Sequence, residues 1–176
     1  GDGVMNPSSG VNPLAAAILI TWRRNAAYAL RLAEDIDPAQ FVAQPVPGRT
    51  LNHPAWVFSH LNLYAAVAVD LASGRAFDDP ADHRYGQKSE PLADPSAYPE
   101  KAALLEQWRV IHAAGERALE AAASSLTSAP NPLPRWRAMH PTVGDMLVTL
   151  MVKHESGHLG QLSAWRRAMG LSRVPL

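Results

Sequence analysis

The chain has 176 residues, 47% apolar and 18% charged, which suits one domain with a full core. Its 16 basic and 16 acidic residues balance without any basic block, so neither nucleic acid nor a membrane surface is expected as a partner. Cysteine is absent, which excludes disulfides, thiolate metal ligands and a thiol nucleophile of the chain's own; sulfur chemistry would need an outside thiol.

Residues 1–10, GDGVMNPSSG, read as a flexible leader ahead of a domain over 11–176. No charged start precedes a long apolar run, so neither a signal peptide nor a membrane-spanning helix is expected, and the cytoplasm is the default compartment. Asn12 followed by Pro13 is a helix start, a cap and then a first-turn proline. Leu14, Ile18, Trp22, Ala26 and Ala29 carry its apolar stripe to about Glu34. Pro38, Pro45, Pro47 and Gly48 make the stretch to Thr50 a connector.

The second helix opens near Asn52, His53 and Pro54 and stops at Gly74, where a C-terminal glycine belongs. Trp56, His60, Leu63, Tyr64, Val67 and Leu71 form its inward stripe; His53 at the mouth reads as a cap or a rim residue. Residues 75–98 contain Pro80, Gly86, Pro91 and Pro95 without periodic apolar residues, a long loop that reads as a lid or as disorder. His83, Arg84 and Tyr85 are its candidates to overhang a site. The third helix begins at Pro99 and Glu100 and follows Leu104, Trp108, Ile111, Gly115, Leu119 and Leu126, roughly 28 residues. His112 lies beside that stripe, which suits a partly exposed or hydrogen-bonded role better than a ligand's. Residues 127–141 are a proline-rich crossover in which Arg135, Trp136 and Arg137 either border a pocket or cover the core edge.

The last helix spans Thr142 to Gly170, TVGDMLVTLMVKHESGHLGQLSAWRRAMG, with Val143, Leu147, Leu150, His154, His158, Gln161 and Trp165 on one face. Four helical segments and no strand pattern predict an all-α four-helix bundle whose topology the loop lengths leave open. His154 and His158 stand one turn apart on the inward stripe. Two buried imidazoles are either core residues with satisfied nitrogens or ligands of one cation, which removes a cost of about 1–3 kcal/mol for each unpaired group. His60 on the second helix is the third candidate ligand. Three neutral imidazoles suit one first-row divalent ion, zinc or nickel, with positions left for water or a small-molecule substrate. Gln161, one turn beyond His158, is a candidate fourth ligand or substrate donor, set against a buried amide bonded to loop backbone.

WVFSHLNLY on the second helix and HESGHLGQLSAWRRAMG on the last resemble the DinB/YfiT superfamily. The resemblance implies that His60, His154 and His158 are a metal triad in a bundle of unusual topology. It also implies frequent homodimers, and metal-dependent transfer or isomerisation with a low-molecular-weight thiol such as bacillithiol or mycothiol. HESGH is at the same time an instance of HExxH, which would make Glu155 the general base of a metal-dependent hydrolase. Against that stands the lack of strands for a protease's substrate-binding edge. Glu155 otherwise reads as a solvent residue or as a partner of a ligand. A non-catalytic bundle, stapled by the ion or sensing a small molecule, is the third reading.

Overall fold

The computed structural model describes residues 11–176, so the leader expected over 1–10 lies outside the described residues. Helix α1 spans Pro13–Glu34, α2 Pro54–Ala72 and α3 Lys101–Ala121; a single turn, α4, covers Ser124–Thr127. The last helix is continuous from Val143 to Ala168 but changes pitch within it: α5 (Val143–Val148), a π-helical turn (Thr149–His154) and α6 (Glu155–Ala168). No strand occurs among the described residues, only one isolated bridge between Pro130 and Thr142. The bundle is all-helical, as the sequence pattern requires.

Helix ends follow local chemistry. Asn12 caps α1 by accepting from the amide of Ala15, and Thr142 and Asp145 form a reciprocal capping box at the start of α5. His53 proves to be a cap: its Nδ1 accepts the Trp56 amide at 3.1 Å while Nε2 donates to the Leu92 carbonyl at 2.8 Å. Gly74, at φ +68°, lets the amides of Gly74 and Arg75 return to the carbonyls of Leu71 and Asp70, closing α2.

Helix α3 is shorter than its alanine-rich sequence suggests, 21 residues. The chain turns extended at Ala122, whose carbonyl is taken by Asn12 Nδ2 at 3.3 Å; the same amide bonds Thr127 Oγ1 at 3.0 Å. The cap of α1 thus satisfies the backbone group that the end of α3 leaves free. Leu14, assigned inward by periodicity, is 39% exposed, and Ala15 takes its place in the core.

Helix α3 packs against both α1 and α2, and the last helix packs against the same two, so α3 and the last helix stand diagonally opposite. One apolar cluster joins the C-terminal half of α1 to the N-terminal halves of α2 and α3 and the end of α6. The other joins the remaining halves with α5. This fixes the directions: α1 down, α2 and α3 both up, the last helix down. Parallel neighbours cannot be joined by a tight turn. The connection 73–100 must therefore return the length of α2, about 28 Å for its 19 residues. That is why it is long, and it is ordered, held by short 3-10 turns at Pro80–Asp82 and Pro95–Ala97.

Helix α2 is apolar almost all round. By length and composition it could cross a membrane, with a mean hydropathy of 1.3, which departs from the sequence expectation; 83% of that window is buried by its neighbours, as befits a core helix.

The π-helical turn matters most for the site. It inserts one residue into the helical repeat and so advances the inward stripe by one position. Val143 and Leu147 before it and Leu150 at its start face the core; after it, Glu155, Leu159, Leu162 and Arg166 do. His154, His158 and Gln161, which a uniform repeat places at the centre of the stripe, stand on its flank toward α2.

Between the two apolar clusters runs a polar layer: Asn25 on α1, His60 on α2, His112 on α3 and Glu155 on α6. Trp22 reaches into it because residue 115 is glycine; a Cβ there would lie 2.6 Å from the indole. Replacing Gly115 with alanine should therefore destabilise the protein by about 1–3 kcal/mol through overpacking, read as a lower denaturation midpoint with an unchanged m-value.

Candidate metal centre

His60 comes from the middle of α2, His154 ends the π-helical turn and His158 follows one turn later. One ring nitrogen from each lies within 4.8 Å of the others. His60 is 3% exposed; His154 and His158 are half-buried. Trp56 stacks on the His60 ring with centroids 4.4 Å apart, and Tyr64 lies against His60 and His154 at 4.9 and 5.1 Å. Aromatic walls leave these rings little freedom to turn.

The hydrogen bonds fix which nitrogens face the cluster. His60 Nδ1 is 2.7 Å from the Tyr85 carbonyl, which can only accept, so Nδ1 carries the proton and Nε2 has a free lone pair. His158 Nδ1 donates to Gln161 Oε1 at 2.8 Å, and the same oxygen accepts from Asn52 Nδ2 at 2.8 Å. His60 Nε2 and His154 Nε2 then stand 2.9 Å apart. Cations that hold nitrogens at about 2.0–2.1 Å set neighbouring ligands about 3.0–3.4 Å apart, depending on geometry, close to that separation. His154 Nδ1 is buried without a partner.

Burial pushes His60 down to about 4 and His154 to about 3, and lowers His158; neighbouring imidazoles add to the effect at the first two. The three rings are neutral near pH 7, with lone pairs available. This donor set fits a divalent first-row cation.

Beside His154 and His158 a shallow hollow of about 290 Å³ opens to solvent, lined also by Thr149, Lys153, Gly157 and Gln161. A larger cavity of about 400 Å³, around Phe41, Tyr98 and Lys101, contains no comparable cluster.

Two site expectations need correction. Gln161 is exposed, not a buried amide, and its oxygen is engaged by Asn52 and by the outer nitrogen of His158 rather than by loop backbone. It holds the His158 ring from outside. Glu155 is no solvent residue: it is 1% exposed, and its Oε2 lies 2.9 Å from His112 Nε2, on the core side of the helix. It lies outside the histidine cluster. His112 is hydrogen-bonded but fully buried, its Nδ1 donating to the Trp108 carbonyl and its ring clamped between Trp22 and Trp108 at 4.0 and 3.7 Å.

Sequence reasoning placed Tyr85 near the site but not its carbonyl as the anchor of His60, and it missed Asn52 altogether. Backbone acceptors leave no residue-type signal. Of the other candidates, His83 caps its own loop, and Arg135 pairs with Asp79, tying the two long connections together.

Fold and site together define a helical bundle with a three-histidine centre suited to a metal. Residues 21–162 match the DinB superfamily model, and the chain belongs to that superfamily. No curated protein and no solved structure matches it.

The depressed histidines make a pH prediction. Their folded pKa values lie below the unfolded value of about 6.5, so the stability they contribute is present above pH 6.5 and is lost as pH falls toward 4. Metal-free protein, kept in chelator, should lose about 2 kcal/mol or more of unfolding free energy between pH 7 and pH 5. Urea melts at the two values measure this, and equal midpoints would contradict the assigned neutral rings.

Proposed function

We propose that this DinB-superfamily protein binds one divalent cation, zinc or nickel, through His60, His154 and His158, and uses it to activate a low-molecular-weight thiol for transfer to a small electrophile. The observation that carries this reading is the convergence of three neutral imidazoles, two with the outer nitrogen bonded so that the inner one is free, beside a hollow open to solvent. A bound divalent cation supplies the acidity that makes a thiol or water nucleophilic near neutral pH.

The chain supplies the rest. The Tyr85 carbonyl and Gln161 hold His60 and His158 in orientation, while Trp56 and Tyr64 wall the inner side from water. Thr149, Lys153 and Gly157 border the side from which a substrate enters. In the transfer a bond forms from the thiol sulfur to an electrophilic carbon, the leaving group departs with its electron pair, and the thiol proton passes to solvent. The lack of cysteine makes that thiol a second substrate, and a cytoplasmic setting, which keeps thiols reduced, suits the reaction.

A stapling ion would call for a fourth protein ligand, and no carboxylate or further histidine joins the three among the described residues. Hydrolysis with Glu155 as base has less support, because that carboxylate is committed to His112.

His158→Ala should abolish retention of the metal, measured as ions per chain after gel filtration; unchanged stoichiometry would refute the ligand assignment. Metal-loaded protein offered a panel of electrophiles should turn over only when a small thiol is present. Turnover equally fast without thiol would favour water activation instead.

A further inference from the structure

The three-histidine centre leaves unexplained a second polar cluster deeper in the bundle. Glu155 and His112 meet there at 2.9 Å, with side chains 2% and 3% exposed. They belong to the two helices that stand diagonally opposite, so their bond crosses the middle of the bundle. His112 cannot shift to follow a displaced partner: indoles lie on both its faces, and its Nδ1 is tied to the Trp108 carbonyl. Asn25 on α1 fastens the next residue, donating to Ser156 Oγ at 3.1 Å.

These tethers grip the chain immediately after the π-helical turn. The residue before Glu155 is His154. Of the three cluster histidines, His60 and His158 each have a partner for the outer nitrogen, whereas His154 Nδ1 has none. Successive residues on a helix project about 100° apart, so fixing the direction of Glu155 fixes that of His154. The orientation that a partner gives the other two rings reaches this one through its neighbour.

We propose that Glu155 is a positioning residue of the metal centre, its cross-bundle bond to His112 setting the rotation of the turn that aims His154 at the cation. The proposal rests on the reading that the cluster holds a divalent ion. One proton is shared between His112 Nε2 and Glu155 Oε2 whichever atom carries it, since the other imidazole nitrogen already donates. A glutamine at 155 preserves the bond by donating its amide proton to the imidazole.

The test uses the full chain loaded with Co(II), whose visible absorption reports ligand geometry, with affinity from chelator competition. Glu155→Leu and His112→Leu should each weaken Co(II) binding about 10–100-fold, the usual effect of removing an orienting partner, and alter the absorption bands. Glu155→Gln should keep the parental bands and stay within a few-fold of parental affinity. If a single leucine variant fails to fold, the double variant His112→Leu with Glu155→Leu, which leaves no buried polar partner alone, takes its place with the same expectation.

Parental bands and affinity in a folded leucine variant overturn the proposal, because the pair would then serve packing alone. So do a glutamine variant as impaired as the leucine one and a double variant that cannot fold. If the unmutated protein binds no Co(II), the metal reading itself fails and the proposal with it, an outcome told apart by needing no variant.

Discussion

One inserted residue in the last helix governs the relation between core and site. Were Val143 to Ala168 uniformly α-helical, the imidazoles of His154 and His158 would occupy the middle of the core stripe, and Leu159 and Leu162 would turn toward water. The π-helical turn over Thr149–His154 exchanges these roles. Apolar side chains fill the interior, and the two histidines move to a flank where His60 can meet them and solvent can reach them. Such a turn sacrifices regular hydrogen bonding, and burial of Leu159 and Leu162 offsets the loss.

The polar layer has its own logic. A carboxylate and an imidazole in the centre of a bundle are each expensive to desolvate, and a mutual hydrogen bond with two stacked indoles offsets that expense without making the pair a net source of stability. Burial raises the pKa of Glu155 while His112 pulls it back. Arg166, the other buried charge of the last helix, is handled differently: it bonds the Leu32 and Ser172 carbonyls and pairs with Asp35 at the surface edge. One buried charge faces inward across the bundle, and the other fastens the end of α6 to α1 and the chain's last residues.

Much of this was legible in the sequence. Asn12, His53 and Thr142 mark helix starts, Gly74 marks an end, and His60, His154 and His158 lie at spacings that bring them together. The phase of the last helix was misread because a constant period was assumed. The signal was present, since Leu159 and Leu162 do not fall on the stripe begun by Leu147 and Leu150. Contacts made by backbone, such as the Tyr85 carbonyl on His60, leave no trace in residue type, and the Ala122 carbonyl at the end of α3 is met by Asn12, far away in the sequence. Topology also stayed hidden, because a connection as long as 73–100 is compatible with more than one arrangement until the parallel pairing of α2 and α3 is known.

That connection divides the labour within the centre. The nitrogens that would hold a cation come from rigid helices, whereas the wall above His60 comes from a strap whose ends are fixed by topology and whose middle is held at a few points, among them Tyr85, Gln87 and Ser89. Substitutions between those points would alter the wall above His60 while leaving the donor atoms in place. A scaffold of this kind lets the wall above the cluster vary independently of the three imidazoles that the helices fix.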